Sequence, residues 1–146
     1  MEKKELELYI HIPFCVRKCN YCDFLSFPAD EDTQRQYVKA LCKEIFYYGA
    51  HCRDYVVSTV YIGGGTPSWL WESDMAEIMD AVHKNFALLP DAEVSVECNP
   101  GTVTAQKFAV YGQSGINRIS LGLQSAQNVE LKMLGRIHTW EQFLKT

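Results

Sequence analysis

The chain has 146 residues, 47% of them apolar and 12% aromatic, with a formal net charge of −4; this is enough apolar material for one domain with a real core, and it is unlike a disordered segment. Lys and Arg are scattered rather than clustered, so the basic stripe that neutralises phosphates is missing and nucleic acid is not an expected partner. No apolar run is long enough to form a transmembrane segment, and the opening MEKKELELYIHIP lacks the apolar core of a secretory leader, so the expected setting is the cytoplasm, with reduced thiols.

Leu6 to Ile12 alternates with period two, Leu8, Ile10 and Ile12 opposing Glu7, Tyr9 and His11, as a strand does. Directly after it, FCVRKCNYCDF puts Cys15, Cys19 and Cys22 in one loop. Gln34 to Gly49 then reads as a helix with Tyr37, Val38, Leu41, Cys42, Ile45 and Phe46 on one face and Gly49 placed to end it. Val56 to Gly65 is a β-branched strand running into GGGTPS, Gly63 to Ser68. Ser73 is the expected N-cap of a second helix striped by Met75, Ile78, Met79, Val82 and Phe86. Ala92 to Cys98 is a third strand, Val103 to Gly115 a shorter helix, and Ile116 to Gln124 a fourth strand, with two helical pieces split near Gly135 completing the chain. Such βα alternation predicts an α/β domain with parallel strands joined by right-handed crossovers.

The strands are polar on one face. Val94, Val96 and Cys98 oppose Ser95, Glu97 and Asn99, and Ile119, Leu121 and Leu123 oppose Ser120, Gly122 and Gln124. A parallel sheet covered by helices on both faces is apolar on both, so helices are expected on one side only, the sheet curling round a cavity as a partial barrel; a closed barrel would fill its interior with branched apolar side chains.

Ligands bind beyond the carboxyl ends of parallel strands, and those ends carry the cysteine loop, GGGTPS, ECNPG and GLQS, which are expected to meet at one mouth. Three thiols suit an iron–sulfur cubane with one iron left open for a ligand; a zinc knuckle remains the alternative, with Cys98 or His11 as fourth ligand. GGGTPS is neither a Walker loop nor a dinucleotide fingerprint, and reads either as a tight turn or as bare backbone for a polar ligand. Glu97 and Gln124, on the polar face, are either paired interior groups or ligand contacts, and Arg136 in MLGRIHT is either a surface charge or part of the mouth. Cys42 and Cys98 read as core thiols; Cys52, His51 and His83 receive no role.

Taken together, YIHIPFC, CNYCDF, GGGTPS, ECNPGT, GINRISLGLQS and LGRIHT resemble the radical S-adenosylmethionine enzymes, and within them the oxygen-independent coproporphyrinogen III oxidase group. The resemblance implies a (β/α) partial TIM barrel of the radical SAM type, here about four βα units of an expected six, so that residues 1–146 form the N-terminal part of the core domain. The oxidases of this group carry a further cysteine where this chain has Phe24, and Cys-Asp-Phe is the pattern of the haem-chaperone branch, which is therefore favoured over the oxidase. Ala126 departs from the aromatic residue usual in the group.

By position, the resemblance implies that Cys15, Cys19 and Cys22 hold a 4Fe-4S cluster, that Tyr9, Gly64 and Glu97 contact S-adenosylmethionine, and that Tyr21, Gly65, Thr66, Gln124 and Arg136 match a second S-adenosylmethionine pocket of the oxidases. It further implies haem or porphyrin binding, reduced flavodoxin or ferredoxin as electron donor, and haem-accepting proteins as partners. The motifs do not assign catalytic turnover to the chain. With four strands of six, a truncated product is expected, its fourth strand left as an exposed edge. From another class, a small iron–sulfur electron-transfer or zinc-binding module is the competing expectation.

Overall fold

The computed structural model describes residues 4–146. Its centre is one sheet of four strands in the order β1-β2-β3-β4, all parallel, with β1 at Lys4–Ile12, β2 at Tyr55–Gly64, β3 at Leu88–Cys98 and β4 at Arg118–Leu121. The helices α1 (Glu31–His51), α2 (Glu72–Asn85) and α3 (Ala105–Gln113) connect successive strands, and α4 (Asn128–Met133) and α5 (Trp140–Leu144) follow β4. Sequential parallel strands lying side by side are what βαβ crossovers generate.

The apolar face carries the core. Ile10, Ile12, Val60, Ile62, Val94, Val96 and Cys98 pack with Val38 and Ile45 of α1 and with Met75, Ile78, Met79 and Val82 of α2. Ile62, Met75, Ile78 and Val82 are fully excluded from solvent, and each such side chain contributes roughly 1.5–3 kcal/mol by leaving water. The α1 N-terminus is capped by Asp30, whose carboxylate accepts from the Thr33 amide at 2.8 Å, and Tyr37 of α1 donates its hydroxyl to the His11 carbonyl, tying the helix to the end of β1.

Three local expectations are corrected. Gly49 does not end α1, which runs to His51; it is buried in the last turns, where an added Cβ would lie 2.6 Å from the Asn85 carbonyl of α2. The glycine serves the close approach of two helices rather than a left-handed cap. Phe46 is 66% exposed rather than part of the buried stripe, because the fully buried line of α1 is narrower, running through Gln34, Val38, Ile45 and Gly49. Ser73 is not the cap of α2: Trp71 occupies that position, its carbonyl accepting from the Asp74 and Met75 amides, after a 3-10 turn over Pro67–Trp69 that leads the chain into the helix earlier than Ser73.

β4 is also shorter than the sequence pattern predicts. Its pairing with β3 ends at Leu121, and Gln124 then adopts φ +74°, a left-handed conformation unusual for a residue other than glycine. Ile119, on the face that is apolar in the other strands, is 38% exposed, since β4 lies at the sheet's edge.

Candidate functional site

The four strand ends do converge. Cys15, Cys19, Tyr21, Cys22 and Phe24 from the loop after β1, Gly64, Gly65 and Thr66 after β2, Glu97 and Asn99 at the end of β3, Gln124 beyond β4, and Arg136 line one cleft of about 200 Å³. Of the residues predicted for the site only Tyr9 is missing from this wall; it lines a separate groove beside α1 with Leu8, His11, Tyr37 and Tyr48, and is 60% exposed.

Glu97 is held at two points in the cleft. Tyr61 donates its phenol to Oε1 at 2.7 Å, and the Gly64 amide donates to Oε2 at 3.1 Å. The bond to Glu97, then burial, hold the Tyr61 phenol up at about 12, so it stays a donor. Gly63 explains why this carboxylate can reach across: a Cβ there would lie 2.9 Å from Glu97 Oε2, so a side chain would occupy the space of the carboxylate. At Gly64 the backbone takes φ +116°, and a Cβ would strike the His11 ring at 2.6 Å. The glycine run is therefore shaped around two side chains, and its amide is aimed as a result.

The cysteine loop is pinned at both ends. Cys15 N–H donates to the Phe27 carbonyl at 3.2 Å and Phe27 N–H to the Pro13 carbonyl at 2.9 Å, while the Thr66 amide donates to the Phe14 carbonyl at 2.7 Å. At its far side, Asn20 donates its backbone amide to the Leu134 carbonyl at 3.0 Å and its side-chain amide to the Met133 carbonyl at 2.9 Å. All six cysteines are free thiols. Thr66 Oγ1 donates to Cys15 Sγ at 3.4 Å, and Arg136 Nη1 donates to Cys19 Sγ and to the Tyr21 hydroxyl, each at 3.4 Å.

Arg136 is no free surface charge. Its Nη2 also donates to Asn99 Oδ1 at 2.9 Å and to the Gly122 carbonyl at 2.6 Å. Both groups proposed from the sequence as a fourth metal ligand are otherwise engaged. His11 Nε2 donates to the Leu25 carbonyl at 3.0 Å, which leaves Nδ1 to accept from the Tyr9 hydroxyl at 2.9 Å; Cys98 is buried, and burial pushes its thiol up to about 11. Among the described residues, no three Cys, His, Asp or Glu side chains are gathered closely enough to hold a single metal ion.

Two residues that shape the mouth were not predicted from the sequence. Asn99 joins Arg136 to Thr66, donating Nδ2 to Thr66 Oγ1 at 3.1 Å. Lys107 of α3 reaches under the mouth and donates to the carbonyls of Ser68, Leu70 and Thr102 at 2.7, 2.9 and 3.1 Å, binding the loop after β2 to the loop after β3. Asn99 sits in the quoted ECNPG motif on the polar face, which is the signal that could have marked it; Lys107 reads as an ordinary helix lysine, and no sequence signal marks it.

Chemically, the cleft sets soft thiol donors along one wall, a carboxylate with an adjacent glycine amide on another, and a guanidinium between them. The chain is similar to known proteins. Over 134 residues the chain is 46% identical to the heme chaperone HemW of Escherichia coli (strain K12), covering 91% of this chain and 35% of that protein. Over 142 residues it is 34% identical to the mitochondrial radical S-adenosyl methionine domain-containing protein 1 of Mus musculus, covering 95% of this chain and 31% of that one. The chain thus spans about a third of the length of these curated relatives. Among solved structures it superposes on the coproporphyrinogen III oxidase HemN of Escherichia coli, a radical SAM enzyme, with a TM-score of 0.90 at 28% identity, over 99% of this chain and 33% of that one. The model of the radical SAM superfamily matches residues 9–146, and the chain belongs to that superfamily, whose cofactors are a 4Fe-4S cluster and S-adenosylmethionine.

Proposed function

We propose that the chain is the N-terminal part of a radical SAM core domain, residues 1–146, in a protein of the haem-chaperone kind, and that its cleft holds a 4Fe-4S cluster with S-adenosylmethionine beside it. The observation that carries this reading is the meeting of the Cys15, Cys19 and Cys22 loop with Gly64, Gly65 and Glu97 around one cleft. The donor set fits the group: Cys15, Cys19 and Cys22 all line the cleft, and thiols are the ligands that iron–sulfur clusters take.

In this reading Cys15, Cys19 and Cys22 are the ligands. When bound, the reduced cluster supplies one electron for cleavage of the sulfonium C5′–S bond of S-adenosylmethionine. The chain's own residues bind and orient. Glu97, fixed by Tyr61 and the Gly64 amide, offers its remaining lone pairs to a cationic ammonium, and the bare Gly64–Gly65 backbone lets a polar ligand approach closely. Arg136, Thr66, Tyr21 and Gln124 complete the wall; Tyr9, outside it, donates to His11 and stacks on Tyr61, the residue that holds Glu97. Phe24, 64% exposed at the rim, stands where the oxidases carry a further cysteine, and this, with the identity to heme chaperones, supports haem binding and delivery over porphyrin oxidation. The free thiols support a reducing, cytoplasmic setting, and haem or porphyrin, haem-accepting proteins and a flavodoxin or ferredoxin donor are the partners this reading names.

Anaerobic reconstitution with iron and sulfide followed by electron paramagnetic resonance tests it. A reduced-cluster signal that changes on adding S-adenosylmethionine, lost in Cys19→Ala and kept in Cys42→Ala, is expected; one zinc per chain with no iron uptake would refute the assignment. Haem titration alongside coproporphyrinogen turnover then separates the chaperone from the oxidase.

A further inference from the structure

We infer that Asn99 is a positioning residue that sets the reduction potential of the cluster by aiming two hydrogen bonds at two of its three ligand sulfurs; the inference rests on the ligand assignment proposed above. Arg136 can only donate, so the Asn99 atom facing it is Oδ1, and Nδ2 faces Thr66. This orientation has a consequence on each side. On one, the Asn99 amide donates to the Thr66 hydroxyl, so that hydroxyl does not turn its single proton to Asn99 and directs it to Cys15 Sγ at 3.4 Å. On the other, Asn99 Oδ1 and the Gly122 carbonyl hold Arg136 Nη2, which fixes the guanidinium plane and points Nη1 at Cys19 Sγ, also at 3.4 Å.

Asn99 is itself anchored by its backbone. Its amide donates to Ser68 Oγ at 3.1 Å, and its carbonyl accepts from Thr102 Oγ1 at 2.7 Å. One side chain, held at the end of β3, thereby links donors from the loop after β2 and from the segment after α4. Hydrogen bonds to cluster sulfurs withdraw electron density and favour the reduced, more negative state, which raises the potential. Asn99 touches neither sulfur, so it acts through Thr66 and Arg136.

The test is a potentiometric titration of the reconstituted full chain, followed by electron paramagnetic resonance, for the wild type, Asn99→Ala, Thr66→Val and the double variant, with iron content measured on each. Asn99→Ala is expected to keep its iron and to shift the potential in the negative direction by about a tenfold change in the oxidised-to-reduced ratio, about 59 mV for a one-electron couple. Thr66→Val, which loses only the Cys15 arm, is expected to shift the same way by less, and the double variant by less than the sum, as coupled neighbours do. An unchanged potential in iron-replete Asn99→Ala overturns the inference, and should that variant not hold iron, an unchanged potential in Thr66→Val overturns it instead. Iron held equally by the wild type and Cys19→Ala would fail the ligand assignment, a result separate from either.

Discussion

On the underside of the sheet, Ile62, Met75, Ile78 and Val82 are fully excluded from solvent and held by apolar packing; at the mouth of the same sheet, Glu97, Thr66, Asn99 and Arg136 are held by directed hydrogen bonds around the cleft. The two regions share strands but not forces. A buried aliphatic side chain carries a few kcal/mol, whereas one intramolecular hydrogen bond nets about 0.5–1.5 kcal/mol after exchange with water. The fold therefore rests on the underside, which leaves the mouth free to be tuned for chemistry with little effect on stability.

The largest effect should come from the underside. Ile62→Ala, toward the carboxyl end of β2 with 0% exposure, is expected to lose about 2–5 kcal/mol in urea unfolding while the folded fraction still takes up iron. Gly49→Ala forces a methyl group against the Asn85 backbone and is expected to destabilise by about 1–3 kcal/mol; a neutral result would break the account of how α1 meets α2.

An intermediate effect comes from pH. His138 is buried, with Nε2 donating to the Leu123 carbonyl at 3.1 Å and Nδ1 unpartnered among the described residues. Burial, then the charge of Arg136, lower its pKa below the ordinary 6.5. The unfolded chain thus takes up the proton first as pH falls, so His138's contribution is present above about 6.5 and is lost below it. Thermal unfolding across pH 8 to 5 should show that fall, and His138→Gln should flatten it. The smallest stability effect belongs to the mouth: Glu97→Gln is expected to change the unfolding free energy by no more than about 1 kcal/mol yet to weaken S-adenosylmethionine binding at least tenfold by calorimetry. If it unfolded the chain as Ile62→Ala does, the separation of the two regions would be wrong.

What the sequence reveals divides along the same line. Period-two alternation in β1 and β3 and the unusual motifs after each strand located the sheet, its polar face and the mouth, because strand geometry turns spacing directly into position. The pattern in β4 is as regular, but Ile119 is 38% exposed, since alternation reports which face is apolar and not whether anything covers it. Gly49 misled because a glycine late in a helix reads the same whether it permits a left-handed cap or a close helix contact. Lys107 is hidden in the sequence because its three carbonyl partners come from two loops that only tertiary structure brings together, and ECNPG shows no role for Asn99 because its importance lies in the groups it joins.

The clasp of Asn20 on the Met133 and Leu134 carbonyls spans 113 residues of sequence, and it carries a lesson about timing on the ribosome. The cysteine loop leaves the exit tunnel early, but the backbone that gives it its final shape is made near the end of the stretch. At about 5–20 residues per second, the thiols wait roughly 6–23 s for that partner. The loop therefore takes its final shape only once that later segment has been made, and in the interval its three unfastened cysteines are exposed to any oxidant or metal the nascent chain meets.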